Sequence, residues 1–495
     1  MNRLWTFTAL AGLCVAFVAA PTHADDDPVL KKLEQMQREL ERMRQDNEGM
    51  RTEIDRLRAA TDDNWMTEQR AAEIRSIVHD VLADADTRAS LLGTGLMGGW
   101  SNGFFLASHD NRFRLQFEGL MQFRFLYNYN NERPASPFGT PNEDKHRSGF
   151  ESTRTWLTFR GHVFSPDLTY LVRGNFQRDR NVTPQGGGFY LLDAFVRYHL
   201  TDEISIRFGQ FKLPFTREFL VSPGQQLLVE RSLVDTNMNV GRSQGIEFTW
   251  MDSIQRASVA YHVGGMDNLI GQSPGVAGGN PMSTVALAAD VEYAWTARYE
   301  HLLAGNWRQF EDFTSPMDEE FALMLGAAMH IQRTEATGQP TFPNNPPRAN
   351  RWYGYTLDAS AEWGGANAFI AFTHFYINQP TRNINVFGVV GQGGFYVTPK
   401  IEIFARYEFG KFSTKAPDVP DEFKLPLHLL TAGFTYYIDG HDVKWTTDIG
   451  IGLKRVERGW TRLPNPGQAS ITGWRQEGRR GPHQILFRTQ FQLLF

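Results

Sequence analysis

The stretch RFRLQFEGLMQFRFLYNY, residues 112–129, decides the fold. Its odd positions read Phe113, Leu115, Phe117, Gly119, Met121, Phe123, Phe125, Tyr127 and Tyr129, while the even ones are mostly Arg, Gln and Glu. Apolar residues at every second position put one apolar face on an extended strand. Strands of soluble domains average about five or six residues, so a run of this length predicts a strand that crosses a bilayer at a tilt and continues beyond it.

The same alternation returns at Leu157 to Val163, at Leu168 to Phe176, at Leu192 to Tyr198, and in further copies towards residue 495. The connections between these runs alternate in length. Short turns fall at Ser165-Pro166-Asp167, Thr201-Asp202-Glu203, Met251-Asp252-Ser253, Gly364-Gly365-Ala366, Thr398-Pro399-Lys400 and Asp439-Gly440-His441. Longer stretches lie near 131–149, 213–242, 265–285, 334–350, 414–426 and 457–482, and a turn near 301–318 is long for its side. Short turns on one side and long loops on the other mark a membrane barrel rather than a soluble sandwich. Pairing the runs predicts an all-β chain, an antiparallel transmembrane β-barrel of about sixteen strands over residues 104–495. No run after the N-terminus reaches the roughly 18 apolar residues of a helical span, so a barrel is the one remaining way across a bilayer. The run Ile485, Phe487, Thr489, Phe491, Leu493, Phe495 ends on an aromatic residue, similar to the signature by which outer-membrane barrels are delivered for assembly.

The segments before the barrel have other signatures. Arg3, the apolar run Ala9 to Ala20 and the small residues before Asp25 predict a signal peptide over 1–24. Cys14, the single cysteine, lies inside it, so the mature chain is expected to carry no thiol. Leu33, Met36, Leu40, Met43, Asn47, Met50, Ile54 and Leu57 step by three and four, which predicts an α-helical coiled coil within 25–60. Glu39, Asp46 and Glu53 each precede Arg44, Arg51 and Arg58 by five residues, the spacing that pairs charges between parallel helices of a homo-oligomer. Residues 61–103 read as a short helix around Ile74, Val78, Val81 and Leu82, then a Gly-rich linker.

Composition removes other classes. A net charge of -5 offers no basic footprint for nucleic acid. The 37 Phe, 15 Tyr, 12 Trp and 45 Gly suit interfacial girdles and close strand crossings. Gly241-Arg242-Ser243-Gln244-Gly245 matches a nucleophile elbow by letter, but a loop precedes it and an alternating strand follows, so no enzyme is expected. The histidines lack H-E-x-x-H spacing and Gly388 to Gly394 lacks the phosphate-loop lysine, so neither metal nor cofactor is expected.

Period two assigns Arg114, Arg124, Arg154, Arg160, Arg173, Arg197 and Arg207 to the lumen, with Glu118, Glu151 and Asp193 as sparse acidic company. Arginines along a pore attract anions. Later strands add Asp290, Glu292, Asp358, Glu362, Glu402, Glu408 and Asp448 to the polar face, among Arg298, Arg406 and Arg488, which weakens that preference. The alternative is that interior charges satisfy one another across the lumen.

Gly209-Gln210-Phe211-Lys212-Leu213-Pro214-Phe215, then Val229-Glu230-Arg231-Ser232, Gly241-Arg242 and Gly245 to Phe248, resemble the phosphate-selective porin O and P family from about residue 150 onward. The resemblance implies a sixteen-stranded homotrimeric porin of the cell outer membrane. Such a channel passes small hydrophilic solutes, anions such as phosphate among them, with a long third loop folded into the pore. That loop corresponds here to Pro214 to Arg242, which makes Lys212, Arg217, Arg231 and Arg242 candidates for the constriction. Alternatively these cations pair with Glu218, Glu230 and Asp235 and pin the loop to the wall. The expected partners are outer-membrane lipids and solutes, with the coiled coil in the periplasm. A rival reading makes the chain a structural barrel, tethered to the cell wall through the coiled coil, with conduction incidental.

Overall fold

A computed structural model describes residues 49, 50, 52, 96–101, 103–130, 145–176, 190–262, 291–334, 351–378, 383–414, 426–457, 460, 472–475 and 484–495. The signal peptide, the second helix and nearly all of the heptad seam lie outside these residues; Gly49, Met50 and Thr52 are helical. The chain divides into two compact units, 1–93 and 94–495.

The second unit is one antiparallel sheet. It opens with a short hairpin of β1 (Met97–Trp100) and β2 (Phe104–Ala107). There follow β3 (Arg114–Tyr129), β4 (His146–Val163), β5 (Ser165–Asn175), β6 (Tyr190–His199), β7 (Ile204–Lys212), β8 (Arg242–Met251), β9 (Gln255–His262) and β10 (Val291–Ala304). The series continues with β11 (Ala322–Thr334), β12 (Arg351–Trp363), β13 (Ala366–Asn378), β14 (Asn383–Thr398) and β15 (Ile401–Thr414). It ends with β16 (Leu427–Asp439), β17 (Val443–Gly452) and β18 (Ile485–Leu494). From β3 onward each strand pairs with its predecessor, and β18 pairs with β3, so sixteen strands close into a barrel. Closure leaves no free edge along the spanning strands, as a bilayer requires.

The seam shows how the closure is made. Leu120 to Tyr129 of β3 pair with β18, while Arg114 to Phe117 pair with β2. Between them the Phe495 N–H donates to the Gly119 carbonyl (2.9 Å), and the Gly119 N–H donates back (2.6 Å). The Phe495 ring occupies the space where a Gly119 side chain would lie, so a Cβ there is excluded. β1 falls in the stretch read as linker. Its Met-Gly-Gly-Trp sequence has little strand propensity of its own and is extended because β2 supplies a ladder.

All six expected short turns lie at one end of the barrel, the end that also holds Phe495. The long turn, 305–321, joins them there and folds inward with Phe310 and Phe313 buried. The opposite end carries two connections beyond the expected long ones, 176–189 and 379–382. The second is only four residues, too short for a length criterion to find.

Outward positions are apolar and exposed, as with Phe208, Leu357, Ile370 and Ile449. The inward ones are polar, but they face a folded segment of protein rather than open water around most of the ring.

Candidate functional site

That segment is the β7–β8 connection, residues 213–241. Pro214 cannot extend the β7 ladder, and the chain turns into the lumen as α1 (Arg217–Leu220), a 3-10 turn at Pro223–Gln225, and α2 (Leu233–Met238). The Ser232 hydroxyl caps α2 by accepting from the Asp235 N–H (2.8 Å).

Apolar contacts hold the loop first. Leu213, Phe215, Leu233, Val234 and Met238 share one buried cluster with wall residues including Phe375, Val390 and Leu429. Each such side chain fully buried contributes about 1.5–3 kcal/mol. Gly388 on β14 makes the approach of α2 possible, because a Cβ there would run into Val234 and Met238. Glycine packing is therefore the role of at least this member of the Gly388 to Gly394 run.

Charged wall residues supply the remaining anchors. Arg298 donates to the Phe215 carbonyl (2.7 Å), and Arg406 to Glu218 (3.1 Å) and the Glu230 carbonyl (2.8 Å). Glu408 accepts from the Leu233 N–H (2.6 Å), Asp448 from the Val229 N–H (3.3 Å), and Lys444 donates to the Gln226 carbonyl (3.0 Å). Arg154 meets Glu230 at 2.6 Å and Arg124 lies 3.6 Å from it. Burial opposes the Glu230 charge, but these two arginines outweigh it and hold the carboxyl down to about 2. Asp235 is pushed the other way, up to about 7, by burial and then by the Glu218 carboxylate.

The loop cations have specific tasks. Lys212 donates to the carbonyls of Phe219, Leu220 and Val221 (2.7, 3.0 and 3.4 Å), at the C-terminal end of α1. Arg231 donates to the carbonyls of Glu218, Phe219 and Val221 (2.9, 3.3 and 2.8 Å). Arg217 donates to Ser360 Oγ (2.8 Å) and to the carbonyls of Phe310 and Asp312 (2.9 and 3.1 Å), joining the loop to the inturned 305–321 turn. Arg242 pairs with Asp193 (2.8 Å). The alternative pairing of these four with Glu218, Glu230 and Asp235 is not the bonding pattern: the cations bond mainly to carbonyls, Glu230 bonds to Arg154 of the wall, Glu218 accepts from Ser232 and from Arg406, and Asp235 accepts from Thr216 within the loop. A tight loop exposes backbone carbonyls that need donors, and a charged donor satisfies several at once.

The seven inward arginines divide in two. Arg124 and Arg154 are buried against the loop. Arg114, Arg160, Arg173, Arg197 and Arg207 keep exposure. Arg114 stacks over Phe105 (4.5 Å), Arg160 pairs with Glu118, and Arg173 donates to Thr158 (2.9 Å) and lies 3.4 Å from Asp193. Arg197 and Arg207 stand directly opposite each other on β6 and β7 and share Glu247, at 3.9 and 2.6 Å. The Nε–H of each has no acceptor among the described residues. Guanidinium side chains are the exposed members of these pairs: 45% for Arg160 against 17% for Glu118, and 30% for Arg197 against 3% for Glu247.

Sequence reasoning missed two participants. Arg256 on β9 bonds Glu300 (2.5 Å), stacks over Trp307 (4.7 Å), and continues the exposed series; its alternating signal was available at Arg256, Ser258 and Ala260. Phe219 lies under Lys212, Arg231 and Arg242 (5.2, 5.1 and 5.6 Å), and nothing in its sequence neighbourhood distinguishes it from a packing aromatic. Ser243 of the elbow-like motif is buried within extended β8, opposite Phe211, with no strand-to-helix turn.

A closed sixteen-stranded barrel with an inward-folded third long loop is thus the frame, and the model of one family, phosphate-selective porin O and P, matches residues 126–421, more than half of the chain. The chain belongs to that family. A protein of Aquifex aeolicus (strain VF5), described only as uncharacterized, is 24% identical over 259 residues; the match spans 51% of this chain and 60% of that relative, less than two thirds of its length. Among solved structures, Salmonella typhi OmpF in complex with daunomycin is 12% identical with a TM-score of 0.49, covering 80% of this chain and 100% of that one. The outer membrane channel DcaP of Acinetobacter baumannii is 12% identical with a TM-score of 0.46, covering 77% and 97%. The trimer form of OmpT from Vibrio cholerae is 9% identical with a TM-score of 0.45, covering 77% and 99%. As a member of the family, this porin is a barrel of the outer membrane. Its short-turn end is periplasmic and its long-loop end external.

Proposed function

We propose that this porin is a passive, water-filled channel for small hydrophilic solutes that prefers anions, phosphate among them. One observation carries the preference: where inward side chains keep exposure, along β4 to β9, the exposed tips are guanidinium groups and their carboxylate partners lie behind them. A solute following that wall meets an array of positive donors at low effective dielectric, which raises anion concentration locally. Arg160, Arg173, Arg197, Arg207 and Arg256 line this path, and Arg114 of β3, stacked over Phe105, stands at its periplasmic end. Lys212, Arg217, Arg231 and Arg242 shape the constriction by holding the loop, and Arg124 and Arg154 anchor it through Glu230.

The active form in this reading is a homotrimer whose N-terminal segment is a parallel periplasmic coiled coil, free to touch the cell wall. The family membership and the charge-paired heptads support it. Planar-bilayer recordings test the proposal. Current should rise in groups of three equal steps, and inorganic phosphate should reduce chloride current by competing for the arginine path. Absence of conductance would contradict the channel, and phosphate-insensitive chloride current would contradict the phosphate reading. Deleting residues 29–58 should leave single-channel conductance unchanged.

A further inference from the structure

The two rims of the barrel differ in charge. At the periplasmic rim Asp167, Asp202, Asp252, Asp318, Asp439 and Asp442 stand in turns or at the strand ends beside them, against Arg112, Arg308 and Lys400. At the external rim, among the described residues, Arg333, Arg351 and Lys411 stand at strand ends on the outward face that meets lipid. Arg333 and Arg351 are directly opposite on β11 and β12. A like-charged pair in register destabilises a sheet, and Glu292, 2.8 Å from Arg333, offsets only one of the two charges.

A second cluster lies on β15 to β17. His428 pairs with Phe409, and Lys411 is the next outward residue of β15 towards the rim. The Leu453 N–H donates to the His428 carbonyl (2.9 Å), which brings the exposed Lys454 alongside. Tyr407 Oη is 2.7 Å from His428 Nδ1; with the hydroxyl donating, Nε2 carries the proton and is left as a donor. Tyr127 and His146 repeat this pairing at 2.7 Å on β3 and β4. No carboxylate among the described residues pairs with Lys411, Lys454 or Arg351. Immediately below these groups the outward face is apolar: Leu430 and Ile451 under one cluster, Tyr355 and Leu357 under the other.

We propose that these two clusters bind the phosphate groups of the anionic glycolipid that forms the outer leaflet, its acyl chains lying on the apolar residues beneath. The cations that have no carboxylate partner among the described residues, and the like-charged Arg333–Arg351 pair, then have their counter-ion in the lipid. The assignment depends on the family's outer-membrane orientation and is independent of which solute the lumen passes.

Native mass spectrometry of the purified barrel in neutral detergent, incubated with diphosphoryl lipid A, provides the test. Wild type should retain the lipid. Dephosphorylated lipid A, and the K411Q/K454Q/R351Q variant with the diphosphoryl lipid, should each bind about tenfold more weakly, the loss of a few charge-assisted contacts. The K411R/K454R/R351K variant should bind like wild type, and unchanged single-channel conductance of both variants reports that the barrel is folded. Equal retention of the dephosphorylated lipid, or equal binding by the glutamine variant, would overturn the proposal. Displacement of the lipid by inorganic phosphate at matched concentration would assign the cations to free phosphate instead, and would overturn it too.

Discussion

The two arcs of the barrel wall use the same residue types for different ends. On β10 to β18 nearly every inward side chain is buried, and its charges are spent on the loop or on one another: Arg298 on Asp358 and Phe215, Arg406 and Glu408 on α1 and α2, Arg488 on Asp448. On β4 to β9 the inward face keeps exposure, and arginines dominate what is exposed. Counting charges by alternation weighs both arcs equally and finds the acids of the second half cancelling the arginines of the first. Exposure reverses that conclusion, because Asp358, Glu408 and Asp448 do not face the path. A lumen's selectivity follows from the charges left over after its plug is docked.

Freeing the docked arc should have the largest effect. Gly388→Leu places a side chain where α2 now packs, and the loop should leave the wall; single-channel conductance is expected to rise about twofold with a matching loss of anion preference, since a wider path screens the arginines more fully. Unchanged conductance would mean that α2 does not limit the path. Glu230→Gln is milder. It leaves Arg154 without its buried ion-pair partner, a loss of about 3–5 kcal/mol for such pairs, while Arg124 keeps Glu151, and it hands one arginine to the open arc. Noisier channels with stronger anion preference are expected, and a weaker preference would contradict the division of the wall.

The smallest effect concerns pH. The raised Asp235 group binds its proton more tightly in the packed loop than in an unfolded chain, so the packing contribution is full at low pH and is lost as pH rises towards and through about 7. Open-channel fluctuations should therefore grow between about pH 6 and 8 in wild type and stay flat in Asp235→Asn. A flat wild-type profile would show that Asp235 is not the group that loosens the loop.

The barrel itself was legible because period two is imposed on every strand by the contrast between lipid and lumen, and the turn lengths by the two faces of the membrane. The loop was legible as a length between Pro214 and Arg242. Its bonding was not, since Lys212 donating to three carbonyls of α1, or Arg217 reaching the 305–321 turn, depends on backbone placement that no alternation encodes. The exposed arginine side of the lumen was hidden for the same reason: Arg124 and Arg197 look alike in sequence, and only the docked loop distinguishes them.

Reversal potentials in a potassium chloride gradient, measured side by side for R197Q/R207Q and for E408Q, test the central division most directly. Wild type should favour chloride, R197Q/R207Q should lower the anion-to-cation permeability ratio several-fold, and E408Q should leave it unchanged. A shift caused by E408Q as large as that caused by R197Q/R207Q, or a wild-type channel favouring potassium, would contradict that division.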